Sequence, residues 1–110
     1  MSALELLKAA RERIADPSRW AQRIFALNAL GRSVRPWSND ACCWCALGAL
    51  EASRLAPTPT PPAELEAKLA LAGELPADCR GIECFNDDGA TTHAMVVALF
   101  DRAIARLEAA

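Results

Sequence analysis

The chain has 110 residues, 53% hydrophobic and 24% charged, with a net charge of −2; this is the composition of an ordinary globular protein and the length of one domain, residues 1–110. The slight negative balance and the scattered arginines give no footprint for a polyphosphate backbone, which argues against nucleic acid. No apolar run approaches the ~20 residues of a membrane span, the charged pattern from Met1 to Pro17 lacks a signal-peptide core, and five cysteines, an odd number, cannot all pair within one chain. These features predict a cytoplasmic protein with free thiols and no membrane contact.

Ser2-Ala3-Leu4-Glu5 has the form of a capping box, and Leu4, Leu7, Ala10 and Ile14 follow at helical spacing until Asp16-Pro17 stops the run. Residues 18–37 suit helix or strand on propensity alone. Turn chemistry favours a hairpin: Asn28-Ala29-Leu30-Gly31 offers Asn first and Gly fourth, so Ala21 to Leu27 would pair with Arg32 to Arg35. After Pro36, any of Ser38, Asn39 and Asp40 can cap a second helix reaching about Leu55. It is apolar almost all round, as a buried central helix is. Cys45, Gly48, Ala49 and Ala52 would form a face of small side chains, where another backbone can come close.

The proline-rich stretch at 57–62 predicts an extended connector. Thr60 and Pro61 would open a third helix with Leu65, Leu69 and Ala72 inward and Gly73 at its end. A loop is expected from Glu74 to Asp78. Asn86-Asp87-Asp88-Gly89 reads as a turn ahead of a last helix, which starts at Thr91 or Thr92 and buries Val96, Leu99, Phe100, Ala103, Ile104 and Leu107. The expected architecture is mainly α (α+β): a small single domain of three to four helices around a buried central helix, with a short two-stranded β-hairpin.

Two constellations carry candidate chemistry. Cys42, Cys45, Cys79 and Cys84 would supply four thiolates at spacings near those of structural zinc sites, although Cys42 and Cys45 would lie in mid-helix without a knuckle turn, among apolar neighbours where thiols behave as small hydrophobes. Cys45 or Cys84 would be the nucleophile of a thiol enzyme if His93 activated it and Asp87 or Asn86 oriented the imidazole. In the first turn of the last helix, the macrodipole would favour neutral His93. Its spacing with Val97, Phe100 and Ile104 turns the ring partly inward, as for a structural donor. The acidic run lacks the ligand order of a calcium loop. Trp20, Trp37 and Trp44 are not interleaved with basic residues, so they read as core and hinge packing. No cofactor motif is complete.

Trp44-Cys45-Ala46-Leu47-Gly48-Ala49, taken with Phe85-Asn86-Asp87, a Thr-initiated last helix, a first helix ending near Trp20 and a short hairpin, resembles a family of small bacterial and phage proteins of unknown function. The resemblance implies the fold, including the hairpin and the Trp-Cys helix, and no catalytic residues. This chain departs from the pattern in its Ala29-Leu30-Gly31 turn, where the family usually has an Asp-Gly pair, and in Cys42, Cys43, Cys79 and Cys84, which look like additions. The leading expectation is a non-enzymatic domain that contacts another protein or itself. The rivals are a Cys/His hydrolase or thiol enzyme and a structural zinc domain.

Overall fold

The computed structural model describes residues 1–54 and 62–110. The first helix, α1 (Ala3–Arg13), begins with the expected capping box: the Glu5 N–H donates to Ser2 Oγ at 3.1 Å and the Ser2 N–H to Glu5 Oε1 at 3.4 Å. A 3-10 turn at Pro17–Arg19 follows, capped by Asp16, whose carboxylate accepts from the Ser18 N–H at 2.9 Å. Leu6, Leu7, Ala10 and Ile14 are fully buried.

Strand β1 (Ala26–Asn28) leads into the turn at Asn28, where the Gly31 N–H donates to the Asn28 carbonyl at 3.0 Å and Gly31 adopts φ +75°. The Asn28 side-chain oxygen accepts from the N–H groups of Leu30 and Arg32, both at 3.0 Å, which is the local reason Asn opens this turn. The returning segment makes a single bridge, Leu27 to Ser33. The second strand is β2 (Ala41–Trp44), antiparallel to β1, with Ala26 opposite Trp44, Leu27 opposite Cys43 and Asn28 opposite Ala41. The expected pairing with Arg32 to Arg35 is thus formed only around Ser33, the regular partner strand is β2, and the placing of Cys42 to Trp44 in a helix is corrected. Ser38 and Asp40 bond to each other, Asp40 also accepts from Asn28 at 3.4 Å, and the Ala41 N–H closes a turn on the Ser38 carbonyl. The expected caps are therefore engaged in a turn. Trp44 is buried, its Nε1–H donating to the Pro36 carbonyl at 2.9 Å.

Helix α2 (Ala46–Ser53) starts at Cys45, whose sulfur accepts from the Gly48 N–H at 3.3 Å. The small-residue face has the expected purpose: a Cβ on Gly48 would run into the Phe25 carbonyl, and that same carbonyl accepts from the Cys45 N–H at 3.3 Å. Helix α3 (Pro62–Gly73) has the opposite phase to the one expected. Glu64, Ala67 and Leu71 are buried, whereas Leu65 and Leu69 are 59% and 63% exposed and Ala72 is also exposed. The inward Glu64 pairs with Arg54 at 2.8 Å. Thr60, Pro61 and the connector up to Pro61 lie outside the described residues.

The Phe85-Asn86-Asp87 segment is helical, not looped, within the six-residue α4 (Ile82–Asp87); a turn from Asp88 to Thr91 follows. Helix α5 (His93–Ala109) is capped by Thr92, whose Oγ1 accepts from the Met95 N–H at 3.2 Å. Its buried stripe is Val96, Leu99, Phe100, Ala103 and Ile104, with Leu107 partly buried. The fold is thus mainly α (α+β), with five α-helices among the described residues and a two-stranded antiparallel ribbon. The helix that packs against α2, α3 and α5 alike is α1, while α2 is shorter than predicted.

Candidate functional site

The two sequence motifs meet at Asn86, which is 1% exposed. Its side-chain oxygen accepts from Trp20 Nε1–H at 2.8 Å and from the Ala46 N–H at 3.0 Å; its nitrogen donates to the Ala21 carbonyl at 3.0 Å and to Asp87 Oδ1 at 2.9 Å. Gln22 Nε2 donates to the carbonyls of Asn86 and Asp88, both at 3.0 Å. The free N–H groups at the start of α2 thus find acceptors in the Cys45 sulfur and the Asn86 amide. Asp87 fixes the next residue of the loop, accepting from the Arg23 N–H at 2.7 Å. Arg23 has φ 67°, a left-handed conformation that costs a non-glycine residue of order 1–3 kcal/mol and persists where its surroundings enforce it.

Beside this joint lies a cleft of about 230 Å³. Ile24, Phe25, Leu47 and Cys45 give it an apolar floor, and Arg23, Glu83 and Asp87 place charges around it. Of the predicted catalytic candidates, Cys45 and Asp87 share this cleft; Cys84 and His93 do not line it. Burial raises the pKa of the Cys45 thiol, and the Gly48 and Leu47 N–H groups oppose that only in part. Since the thiolate is the nucleophile, this shift disfavours reaction. His93 Nε2 lies 2.6 Å from the Ile14 carbonyl. A carbonyl only accepts, so this nitrogen carries the proton. The ring also rests 6.0 Å from that of Trp20. His93 thereby holds the start of α5 to the end of α1, in the donor role its spacing suggested.

The four sulfurs weighed as zinc ligands occupy different settings. Cys42 lies on β2 beside Cys43, Cys45 caps α2, Cys79 packs half-buried against the core and Cys84 is exposed on α4. Among the described residues no group of three or more His, Cys, Asp or Glu side chains is placed to hold a metal ion. All five cysteines are free thiols.

Sequence reasoning missed Arg23, Gln22 and Glu83. No residue type announces the left-handed Arg23, because the bond that holds it comes from Asp87, 64 positions away. Two of the three tryptophans pack as expected; Trp37 is 47% exposed, with the guanidinium groups of Arg35 and Arg54 about 6 Å from its ring.

A second concavity, about 570 Å³, runs between α3 and α5 and is lined by Glu66, Leu69, Ala70, Gly73, Arg106 and Leu107. Leu69 in its wall and Leu65, one helical turn earlier, are both exposed. No helix among the described residues is long and apolar enough to cross a membrane. A family of unknown function, DUF6197, matches residues 1–106. No curated protein and no solved structure matches the chain.

Proposed function

The chain belongs to the DUF6197 family of unknown function, and we propose that it is a small non-enzymatic domain that works by self-association through α3. The observation that carries this reading is the exposed Leu65–Leu69 ridge. Two large apolar side chains on one face of a helix, beside a furrow with Leu69, Ala70 and Leu107 in its walls, are a cost to solubility unless something covers them. The occupant they fit is a second copy. Leu69 belongs to both ridge and furrow, and the furrow carries Glu66 on α3 and Arg106 on α5, the latter paired with Glu74 at 2.7 Å; a patch with apolar and charged groups of both signs on one face can meet its own copy across a two-fold axis.

Residues 1–110 are read as one domain, supported by a hydrophobic cluster to which all five helices contribute. Five free thiols suit a reducing cytoplasm, and the sequence resemblance suggests a bacterial or phage source. Size-exclusion chromatography with light scattering tests the proposal. The native chain should be a dimer and Leu69→Glu a monomer with unchanged circular dichroism, since an exposed position tolerates the substitution within about 0.5 kcal/mol. A native monomer at every concentration, or a Leu69→Glu variant that stays dimeric, overturns it.

A further inference from the structure

Cys42 and Cys43 are neighbours on β2, and in a regular strand successive side chains point to opposite faces. Their sulfurs should therefore diverge, yet they lie 3.7 Å apart. The cause is in the register: the pairing slips between Leu27 and Asn28, so that Leu27 faces Cys43, Asn28 faces Ala41, and Cys42 is the extra residue of a bulge. A bulge re-aims one side chain relative to its neighbour. Here it turns two thiols toward each other. Cys43 also donates to the Ser18 carbonyl at 3.3 Å, which anchors the pair to the 3-10 turn, and both cysteines are only half-buried.

We propose that Cys42 and Cys43 form a vicinal dithiol site for a thiophilic centre that makes two bonds to sulfur, of the class of monosubstituted trivalent arsenicals. Three features select this ligand. Adjacent Cα atoms are about 3.8 Å apart, short of the roughly 4.4–6.8 Å of ordinary disulfides, so closing the pair on itself is unfavourable. A bridging atom removes that difficulty: two bonds of about 2.3 Å, the length of a zinc–thiolate bond, meet at roughly the tetrahedral angle when they span the 3.7 Å observed. Finally, no third His, Cys, Asp or Glu ligand joins the pair among the described residues, which suits a centre needing two sulfurs better than a metal needing four.

The reaction balances without an oxidant. In R–As=O the arsenic–oxygen bond breaks, both S–H bonds break, two arsenic–sulfur bonds form, and the oxygen leaves with the two protons as water. Arsenic stays trivalent. Cys43 gives up its hydrogen bond to Ser18, while the strand keeps its backbone pairing.

Phenylarsine oxide added to the reduced full chain tests the site. Intact-mass spectrometry should show one adduct with the loss of two titratable thiols, resistant to excess monothiol and removed by dithiothreitol. Fragmentation of the modified native protein should place it across Cys42 and Cys43, a readout that does not depend on any variant folding. Cys42→Ser and Cys43→Ser should each lose the monothiol-resistant adduct, and Cys84→Ser should keep it. An adduct that monothiol strips from the native chain, that maps elsewhere, or that survives in either of the first two variants overturns the proposal.

Discussion

The Asn86 amide uses both of its ends in the interior, accepting from Trp20 and Ala46 and donating to Ala21 and Asp87. No other side chain of its size makes this set of bonds. An aspartate would turn oxygen toward the Ala21 carbonyl and the Asp87 carboxylate, and a leucine would forfeit all four bonds, leaving Asp87 only its bond from the Arg23 N–H. Asn86→Ala should therefore lower stability by about 2–4 kcal/mol, the cost of orphaning several buried polar groups after partial relaxation. Urea denaturation with linear extrapolation measures this; a loss below about 0.5 kcal/mol would show that the joint does not depend on the amide. Phe85-Asn86-Asp87 drew notice in the sequence because Asn and Asp are residues that chemistry uses. The partners that explain them are backbone groups in other segments, which a sequence does not display.

At the level of the element, α3 shows how phase is chosen. Its composition is rich in alanine and leucine on more than one side, so an apolar count alone favoured Leu65, Leu69 and Ala72 as the inner face. The structure buries Glu64, Ala67 and Leu71. Arg54 Nη1 meets Glu64 Oε2 at 2.8 Å with the two side chains 11% and 1% exposed, and the Arg54 guanidinium sits 5.8 Å from the Trp37 ring. Breaking such a pair from one side removes a charge partner in a nearly dry setting, whereas replacing both partners with apolar groups is often neutral or favourable. Glu64→Leu should cost about 1.5–3 kcal/mol, the loss of a hydrogen bond between charged groups, and Arg54→Met added to it should recover part of that loss. Thermal or urea melts of the single and double variants decide this. A double variant no more stable than Glu64→Leu would mean that the pair does not set the phase of α3. Where the signal was local, element boundaries were legible: the Ser2 and Thr92 caps, the Asn28 turn and the buried stripe of α5 all follow from residues within a few positions of one another. Helix α4 was missed because six residues are too short to show a period and Gly81 supplies no side-chain cap. Strand β2 was missed because Ser38 and Asp40 have the chemistry of caps, yet they bond to each other, and Asp40 is held by Asn28 from twelve positions away.

For the molecule as a whole, the readable part of the sequence was the helix-rich class, the ribbon and the small-residue face of α2; the cleft was not readable, since Arg23, Cys45, Leu47, Glu83 and Asp87 come from three separate stretches. That assembly governs how Cys45 behaves. Its sulfur is held by the Gly48 N–H, its residue is 8% exposed, and its surroundings comprise the loop before β1, the start of α2 and the end of α4 together. Each is tied to the joint, α2 by the Ala46 N–H bond to Asn86, α4 by Asn86 itself and the loop by the Arg23 N–H bond to Asp87, so the thiol on the cleft floor gains exposure as those bonds yield. Burial also keeps the thiol protonated at neutral pH. Cys84, by contrast, is exposed on α4. Iodoacetamide should therefore modify Cys84 first in native buffer. Cys45 should react at a rate that rises with urea in proportion to the unfolded fraction, as for a site reached only by global opening. Site-resolved mass spectrometry across a urea series reads both rates. If Cys45 were alkylated as fast as Cys84 without denaturant, the joint would be opening locally, and the cleft would hold an available thiol beside Asp87 in place of a sealed one.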